Sequence, residues 1–486
     1  MASYDYDMGI IGGGAAGLTV AAGSAQLGAK TLLVEKEKEL GGDCLHFGCV
    51  PSKTLIRTAR AYHLMKNGPR FGLPRVEVPP VDFREIARRI QSVVASIQEH
   101  DSRERFCGLG ARVETGWPVF ADEHSIRLNG RSFSAKNWVV ATGSSPAMPP
   151  VEGLDKTPCL TNKDIFSLDR LPRSLVVLGG GPIGIEMAQA FTRLGSQVTV
   201  VEYGPQILAK EDEDMALAVM EALEEEGVAF HLKSRAAGVR DLGRNRVVIL
   251  QKGEETLSLE GEAILVAVGR TANTEGLGLE ALGIPFDRRG VSVDKRLRTK
   301  HKHIYGAGDV IGGYQFTHAA GYEGGVVVSN AVLRLPRKVD YTFMPWCTYT
   351  DPELASVGLN EKQARLQGIS CTVWTEEFGR NDRSLAEGEK RGRIKLLLDD
   401  REKPLGVQIL GPHAGELLGH WVAGLAGKVK ISTLAAAVHP YPTLGEINKR
   451  VAGNVLSPKI FSDKVRKGLK LFFNLKGRAC ELKEEE

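Results

Sequence analysis

Short apolar runs that stop at a cluster of glycines recur along this chain. Met8-Gly9-Ile10-Ile11 reads as a buried strand, and Gly12-Gly13-Gly14-Ala15-Ala16-Gly17 opens a helix running to about Leu27. Thr31 to Val34 reads as a second strand ending at Glu35. Residues 82–106 carry Ile86, Ile90, Val93, Val94 and Ile97 at helical spacing. Ser125 to Trp138 alternates around Asn129-Gly130, a hairpin signal. Val139-Val140-Ala141-Thr142-Gly143 is a further apolar strand, and Ser145-Pro146 with Pro149-Pro150 marks a linker.

The pattern then repeats. Ser174 to Leu178 is a strand, Gly179-Gly180-Gly181-Pro182-Ile183-Gly184 opens a helix, and Gln197 to Val201 ends at Glu202. Each half is a strand–helix–strand unit with G-x-G-x-x-G at its first turn and an acid ending its second strand. Such glycines let backbone N–H groups reach a pyrophosphate at a helix N-terminus, while the acid binds ribose hydroxyls. Two intact copies predict two dinucleotides. Tyr203-Gly204-Pro205 follows Glu202 with no nearby arginine for a 2′-phosphate, which points to NADH rather than NADPH. Leu265 to Arg270 closes the second unit as Ala141-Thr142-Gly143 closes the first. His303-Ile304-Tyr305-Gly306-Ala307-Gly308-Asp309 is a strand, a glycine turn and an acid. Beyond it, strand-like runs (Ile394 to Leu398, Gly406 to Leu410) and helical runs (Glu361 to Gln367, Glu416 to Lys428) predict a separate α+β domain. The expected divisions are 1–152, 153–273, 274–344, 345–458 and a tail over 459–486.

With 486 residues the chain can bury several cores, and 63 Lys+Arg against 59 Asp+Glu is too balanced for a nucleic-acid partner. Seven scattered cysteines are no secreted disulfide framework, so a reducing, cytoplasmic setting is expected. The N-terminus shows no basic, cleavable leader, and no apolar run is long enough to span a bilayer. Two cysteines stand out: Gly41-Gly42-Asp43-Cys44-Leu45-His46-Phe47-Gly48-Cys49-Val50-Pro51-Ser52-Lys53. Pro51 suits the first turn of a helix, which puts Cys49 at the helix N-terminus, where dipole and free N–H groups favour a thiolate. A pair able to close a small loop, one member biased to the anion, suits thiol–disulfide exchange. Half a zinc site is the alternative, but no second ligand pair at short spacing follows, and no resident metal site is assigned. Cys107, Cys159, Cys347 and Cys371 read as buried small residues.

The order G-x-G-x-x-G, C-x-x-x-x-C-V-P-S-K, A-T-G, a second G-x-G-x-x-G and G-A-G-D over residues 6 to 458 resembles the class I pyridine nucleotide–disulfide oxidoreductases. These include dihydrolipoamide dehydrogenase, glutathione reductase and mercuric reductase. The resemblance implies an α/β fold with two Rossmann-like domains, for FAD and NAD, and a C-terminal α+β dimerisation domain. By the same resemblance Gly12, Gly14, Gly17, Glu35, Thr142, Gly143 and Asp309 would hold FAD, with Lys53 near the flavin and paired to Glu186. Gly179, Gly181, Gly184, Glu202 and Gly269 would hold NADH. Cys49 would face the flavin and Cys44 the acceptor, as a redox disulfide. Thr350 to Gly358 is similar to the opening of the family's interface domain, which implies a homodimer whose partner completes each site.

Two departures matter. The family's catalytic His-Pro, with a Glu five residues after the His, corresponds here to His439-Pro440-Tyr441-Pro442-Thr443-Leu444-Gly445-Glu446. Matching Pro-Thr-Leu and Glu446 puts Tyr441 in the slot; matching His439 stretches the spacing to Glu446. A phenol near ~10 is a poor base at neutral pH beside an imidazole near ~6.5, so dihydrolipoamide oxidation should be slow. A tyrosine there is similar to mercuric reductase, and soft thiolates suit Hg(II) or Cu ions. The tail, however, has only Cys480 where mercuric reductase has a cysteine pair. The expected activity is electron transfer from NADH through FAD and Cys44–Cys49 to a small-molecule disulfide or soft-metal acceptor. The tail also sets basic residues from Lys459 to Arg478 among Phe461, Val465, Leu469, Phe472 and Phe473. It is expected either to pack on its own dimer or to lie on an anionic membrane surface as a peripheral NADH:quinone reductase.

Overall fold

The computed structural model describes residues 3–477, 479 and 480; Arg478 of the basic tail and its acidic end (481–486) lie outside them. The chain forms two compact units, Met1–Lys210 with Met220–Tyr341, and Glu211–Val219 with Thr342–Glu486.

The first unit holds two sheets whose parallel strands follow the same order; the first also carries the antiparallel strands Ser125–Leu128 and Val119–Phe120 beyond Arg131–Val140. In one, Ala111–Thr115, Thr31–Glu35, Tyr6–Ile11 and Arg131–Val140 lie side by side. In the other, the order is Ala229–His231, Gln197–Val201, Ser174–Leu178 and Ala263–Val266. The repeat read from the glycines is thus a repeat of topology. Ile304–Gly306 adds a fifth parallel strand beside Arg131–Val140, so the 274–344 segment returns to the first sheet. Strand alternation gives that sheet two apolar faces. Met8, Ile10, Leu33 and Val139 line one, with the helices Ala15–Gln26 and Thr317–Ala331; Ile11, Leu32, Trp138 and Ile304 line the other. The two helices meet closely because Gly324 has no side chain: a Cβ there would lie 2.9 Å from Ala16 O.

Local detail differs from the sequence expectation in four places. Val139 and Val140 end the hairpin's own second strand, Arg131–Val140, rather than forming a further one. The 82–106 helix breaks into Phe83–Gln98 and Arg103–Gly108, because Ser102 is extended and its hydroxyl caps the second helix. The linker contains a short strand, Ser144–Pro146, paired with Arg270–Ala272. Cys107 is exposed, since the short helix turns its neighbour Phe106 into the core; Cys159, Cys347 and Cys371 are half-buried rather than buried.

In the second unit five antiparallel strands run in the order Pro345–Thr348, Glu353–Gly358, Pro404–Gly411, Arg393–Leu398, Thr372–Glu377. Helices Ala414–Ala426 and Glu446–Ile460 cover one face through Trp421, Leu418, Ile447 and Val451. Glu211–Val219 belongs here because its acids are anchored to this sheet. Glu211 accepts from Ser356 and Gln408 side chains, and Asp212 pairs with the buried Lys395 at 2.8 Å.

Candidate active site

The two glycine turns are built alike, each position for its own reason. Gly12 has φ 111°, and a Cβ on Gly17 would sit 1.8 Å from Gly12 O, so the helix can start against the strand only without side chains there. Gly14, by contrast, faces open space, its nearest neighbour being Gly42 Cα at 3.9 Å. The second copy repeats this: Gly184 would strike Gly179 O at 2.1 Å, while Gly181 has nothing within 4 Å. The acids repeat too. Glu35 accepts from Gly13 N and Glu202 from Gly180 N, both at 2.6 Å. The open cradles over Gly14 and Gly181 fit two dinucleotides whose phosphates meet helix N-termini. Lys233, whose amide donates to Gly204 O, brings a lysine to the turn after Glu202 from beyond the strand Ala229–His231.

The cysteines sit beside the first cradle. Gly41 N donates to Gly13 O at 2.8 Å, which docks their loop on the glycine turn. Cys44 lies in the one-turn helix Gly42–His46, and Cys49 is the first residue of the helix Cys49–Lys66, as its sequence predicts. The Cys44 thiol hydrogen-bonds to the Cys49 sulfur, which pushes Cys44 well above an ordinary thiol; burial and the negative charge on Cys49 push the same way. That bond, with help from Thr317 and the charge of Lys53, brings Cys49 down to about 6. At neutral pH the reduced pair is therefore one thiol and one thiolate. Lys53 reaches Glu186 at 2.8 Å, and Glu186 is only 5% exposed, so the expected pair is formed.

Sequence reading missed several supports, all from distant parts of the chain. Thr317 Oγ1 stands 2.9 Å from Cys44 Sγ and 3.5 Å from Cys49 Sγ. Arg270 links the cysteine loop to the Gly-Ala-Gly-Asp turn. It pairs with Asp43 at 3.0 Å and donates to Ser144 Oγ, which donates to Asp309 at 2.6 Å. Burial raises the Asp309 carboxyl above its usual range. Gly308 N and Tyr341 Oη donate to Glu323, which burial pushes up to about 7. Thr142 Oγ1 is committed to Asn273 O at 2.6 Å, which holds Gly143 in its turn. Gly269 has φ 129° and open space beside it.

Thr317 gives a direct test. Thr317→Val removes the hydroxyl beside the thiolate, so the pH midpoint for alkylation of Cys49 in the reduced protein should rise from about 6 by roughly one unit. An unmoved midpoint would remove Thr317 from the thiolate's support.

In the second unit Tyr441 is 69% exposed and donates from its hydroxyl to Asp382 at 2.7 Å, which holds the phenol above its ordinary range. His439 is placed otherwise: Nδ1 meets Ala437 O, and the ring stacks on His420 at 5.3 Å. Glu446 opens the helix Glu446–Ile460, and its Oε2 is buried with no hydrogen-bond partner among the described residues.

Two nucleotide cradles, a polarised thiol–thiolate pair and a lysine paired with a buried glutamate define a dithiol oxidoreductase that works with two dinucleotides. Residues 6–324 match the family described as pyridine nucleotide-disulphide oxidoreductase, and residues 344–452 match its dimerisation domain. The chain belongs to this family, the class I pyridine nucleotide-disulfide oxidoreductases, and is a flavin-dependent disulfide oxidoreductase. It is 35% identical to a dihydrolipoyl dehydrogenase of Bacillus subtilis, covering 91% of this chain and 96% of that one. A mercuric reductase of Lysinibacillus sphaericus is 33% identical, covering 91% and 81%. The solved HOCl-induced flavoprotein disulfide reductase RclA of Escherichia coli superposes with TM-score 0.83 at 28% identity, over 93% of this chain and all of that one. RclA has also been solved as a Cu(II) complex.

Proposed function

We propose that this protein is a homodimeric, NADH-linked reductase whose Cys44–Cys49 dithiol serves a soft-metal or small-molecule disulfide acceptor in a reducing, cytoplasmic setting. The observation that carries the choice of acceptor is the tie of Tyr441 to Asp382. Bound FAD supplies the two-electron relay between nicotinamide and disulfide. Gly12, Gly14, Gly17, Glu35 and Asp309 would hold it, with Lys53 near it, and Gly179, Gly181, Gly184 and Glu202 would hold NADH. The Glu202 carboxylate would repel a 2′-phosphate, which supports NADH. With a disulfide acceptor, Cys44 loses its proton and attacks one sulfur, releasing one thiol. Cys49 thiolate then attacks Cys44, closing the intramolecular disulfide and releasing the second thiol. That route needs a base for Cys44, a role for the partner subunit's tyrosine at position 441, with Glu446 behind it. A phenol raised by Asp382 performs it poorly. With Cu(II), the thiol–thiolate pair gives one electron to each of two ions and closes as the disulfide; metal coordination at Cys44 releases its one remaining proton to water, so no separate base is needed. The Cu(II) complex of RclA supports this acceptor class.

A steady-state screen with NADH and NADPH against Cu(II), Hg(II), lipoamide and quinones, with dihydrolipoamide oxidation by NAD+ measured alongside, tests the reading. Soft metals should turn over faster than dihydrolipoamide, and Tyr441→His should raise dihydrolipoamide oxidation at least about tenfold. No gain would return the slot to His439. A second reading, a membrane-surface quinone reductase using the flavin directly, is favoured by the helix Asp463–Phe473. It exposes Val465, Leu469, Phe472 and Phe473 among Lys464, Lys467 and Lys470, with none of its residues buried. No described helix is long and apolar enough to cross a membrane. Quinone turnover that needs the tail and survives Cys44→Ser would favour that reading.

A further inference from the structure

Far from the cysteines in sequence, three imidazoles gather around one carboxylate. Glu123 and His124 lie in the turn before the strand Ser125–Leu128; His301 and His303 lie just before the strand Ile304–Gly306. One ligand atom each from Glu123, His124 and His303 falls within 4.8 Å of the others. The rings of His124 and His303 stack at 4.0 Å. Trp138 holds both backbones, its indole N–H donating to His124 O and its amide to His303 O, each at 2.9 Å. The scaffold of the cluster is therefore a buried strand.

The ring nitrogens are also oriented. His124 Nδ1 lies 3.0 Å from Ala135 O and His301 Nε2 lies 3.0 Å from Leu282 O. A carbonyl can only accept, so these nitrogens carry protons, and His124 Nε2 and His301 Nδ1 are the nitrogens able to take a metal. Metal-binding histidines are commonly oriented by such a carbonyl. His301 Nδ1 then stands 2.9 Å from the Glu123 carboxylate, a contact that calls for a proton or a cation between them. His303 Nε2 is 3.1 Å from Glu123 O and 4.0 Å from its carboxylate. The same argument applies to His303: its Nε2 faces a carbonyl oxygen and carries the proton, which leaves Nδ1 as the nitrogen able to take a metal. Asp122 is committed to Ser125 and the His124 amide, so Glu123 is the acid of the site.

We propose that Glu123, His124 and His303, with His301 behind the carboxylate, form a surface site for one borderline first-row dication, Zn(II) being the redox-silent case. Two or three imidazoles and a carboxylate are the donor set such ions take. Tetrahedral Zn(II) spaces its ligand atoms at about 3.3 Å, so binding draws the turn toward the segment entering Ile304–Gly306 and staples the two. This site is independent of the acceptor chemistry at the cysteines.

Calorimetric titration of Zn(II) into the oxidised holoenzyme, whose cysteine pair is closed, tests this. The wild type and Cys44→Ser should each bind one equivalent at this site, while His124→Ala and His303→Ala should bind it at least tenfold more weakly. Unchanged flavin absorbance and NADH oxidation in the histidine variants would show that they fold; His124→Gln and His303→Gln replace any that do not. A wild type that binds no Zn(II), an affinity untouched by the histidine changes, or a loss that follows Cys44→Ser would each overturn the proposal.

Discussion

Cys44→Ser should abolish reduction of Cu(II) and disulfide acceptors, by about a thousandfold or more, while NADH still bleaches the bound flavin. The expectation follows from the polarity of the pair. Cys49 is the thiolate, held by the Cys44 thiol, Thr317 and Lys53. Cys44 is the thiol, and in the proposed function it is the sulfur that meets the acceptor. Serine keeps a hydroxyl donor beside Cys49, so the nucleotide cradles are untouched, yet it can neither bond a soft ion nor close a disulfide. The loss therefore falls on the oxidative half of the cycle alone. Rapid-mixing absorbance for flavin reduction and steady-state acceptor assays measure the two halves separately. Full turnover in the variant would mean that electrons leave the protein without the dithiol.

The second large effect separates two glycines three positions apart. Gly17→Val should give a colourless, destabilised protein, because even its Cβ would lie 1.8 Å from Gly12 O, and neither backbone can yield without moving the helix off the strand. Gly14→Ala should fold with a melting temperature near that of the wild-type apoprotein, since its Cβ has only Gly42 Cα near it, at 3.9 Å. Its methyl group would instead occupy the open cradle, and FAD affinity should fall about a hundredfold, roughly 2.7 kcal/mol. Flavin titration by fluorescence, with thermal melts of both apoproteins, checks the pair. Equal effects at the two positions would show that the cradle over Gly14 does not face the cofactor.

These contrasts mark what the sequence made legible. A turn whose glycines, helix and terminal acid lie within one strand–helix–strand unit is a local object, so both copies and their parallel order could be read directly. So could Cys49 at its helix start, because Gly48 and Pro51 are its neighbours. The Lys53–Glu186 pair came only through family resemblance. Thr317, Arg270 and Glu323 stayed hidden because their partners lie far away in sequence and nothing around them forms a motif. A threonine opening a helix reads as a helix start, and only the tertiary fold places its hydroxyl 2.9 Å from Cys44 Sγ. Cys107 was misread for a related reason. A lone cysteine beside Phe106 looks like core, and only the shortness of its helix turns it outward. The hydrogen bond of Tyr441 to Asp382 likewise joins a loop to the start of the short helix Asp382–Glu387, two places that no spacing connects.

The most direct test of the central claim is differential alkylation of the purified flavoprotein, handled anaerobically with and without one equivalent of NADH and read by peptide mass spectrometry. The account predicts that NADH converts two protected sulfurs into alkylatable thiols, at Cys44 and Cys49, with the other cysteines unchanged. Flavin reduction that leaves both of these residues as they were, or opens sulfurs elsewhere, would contradict it.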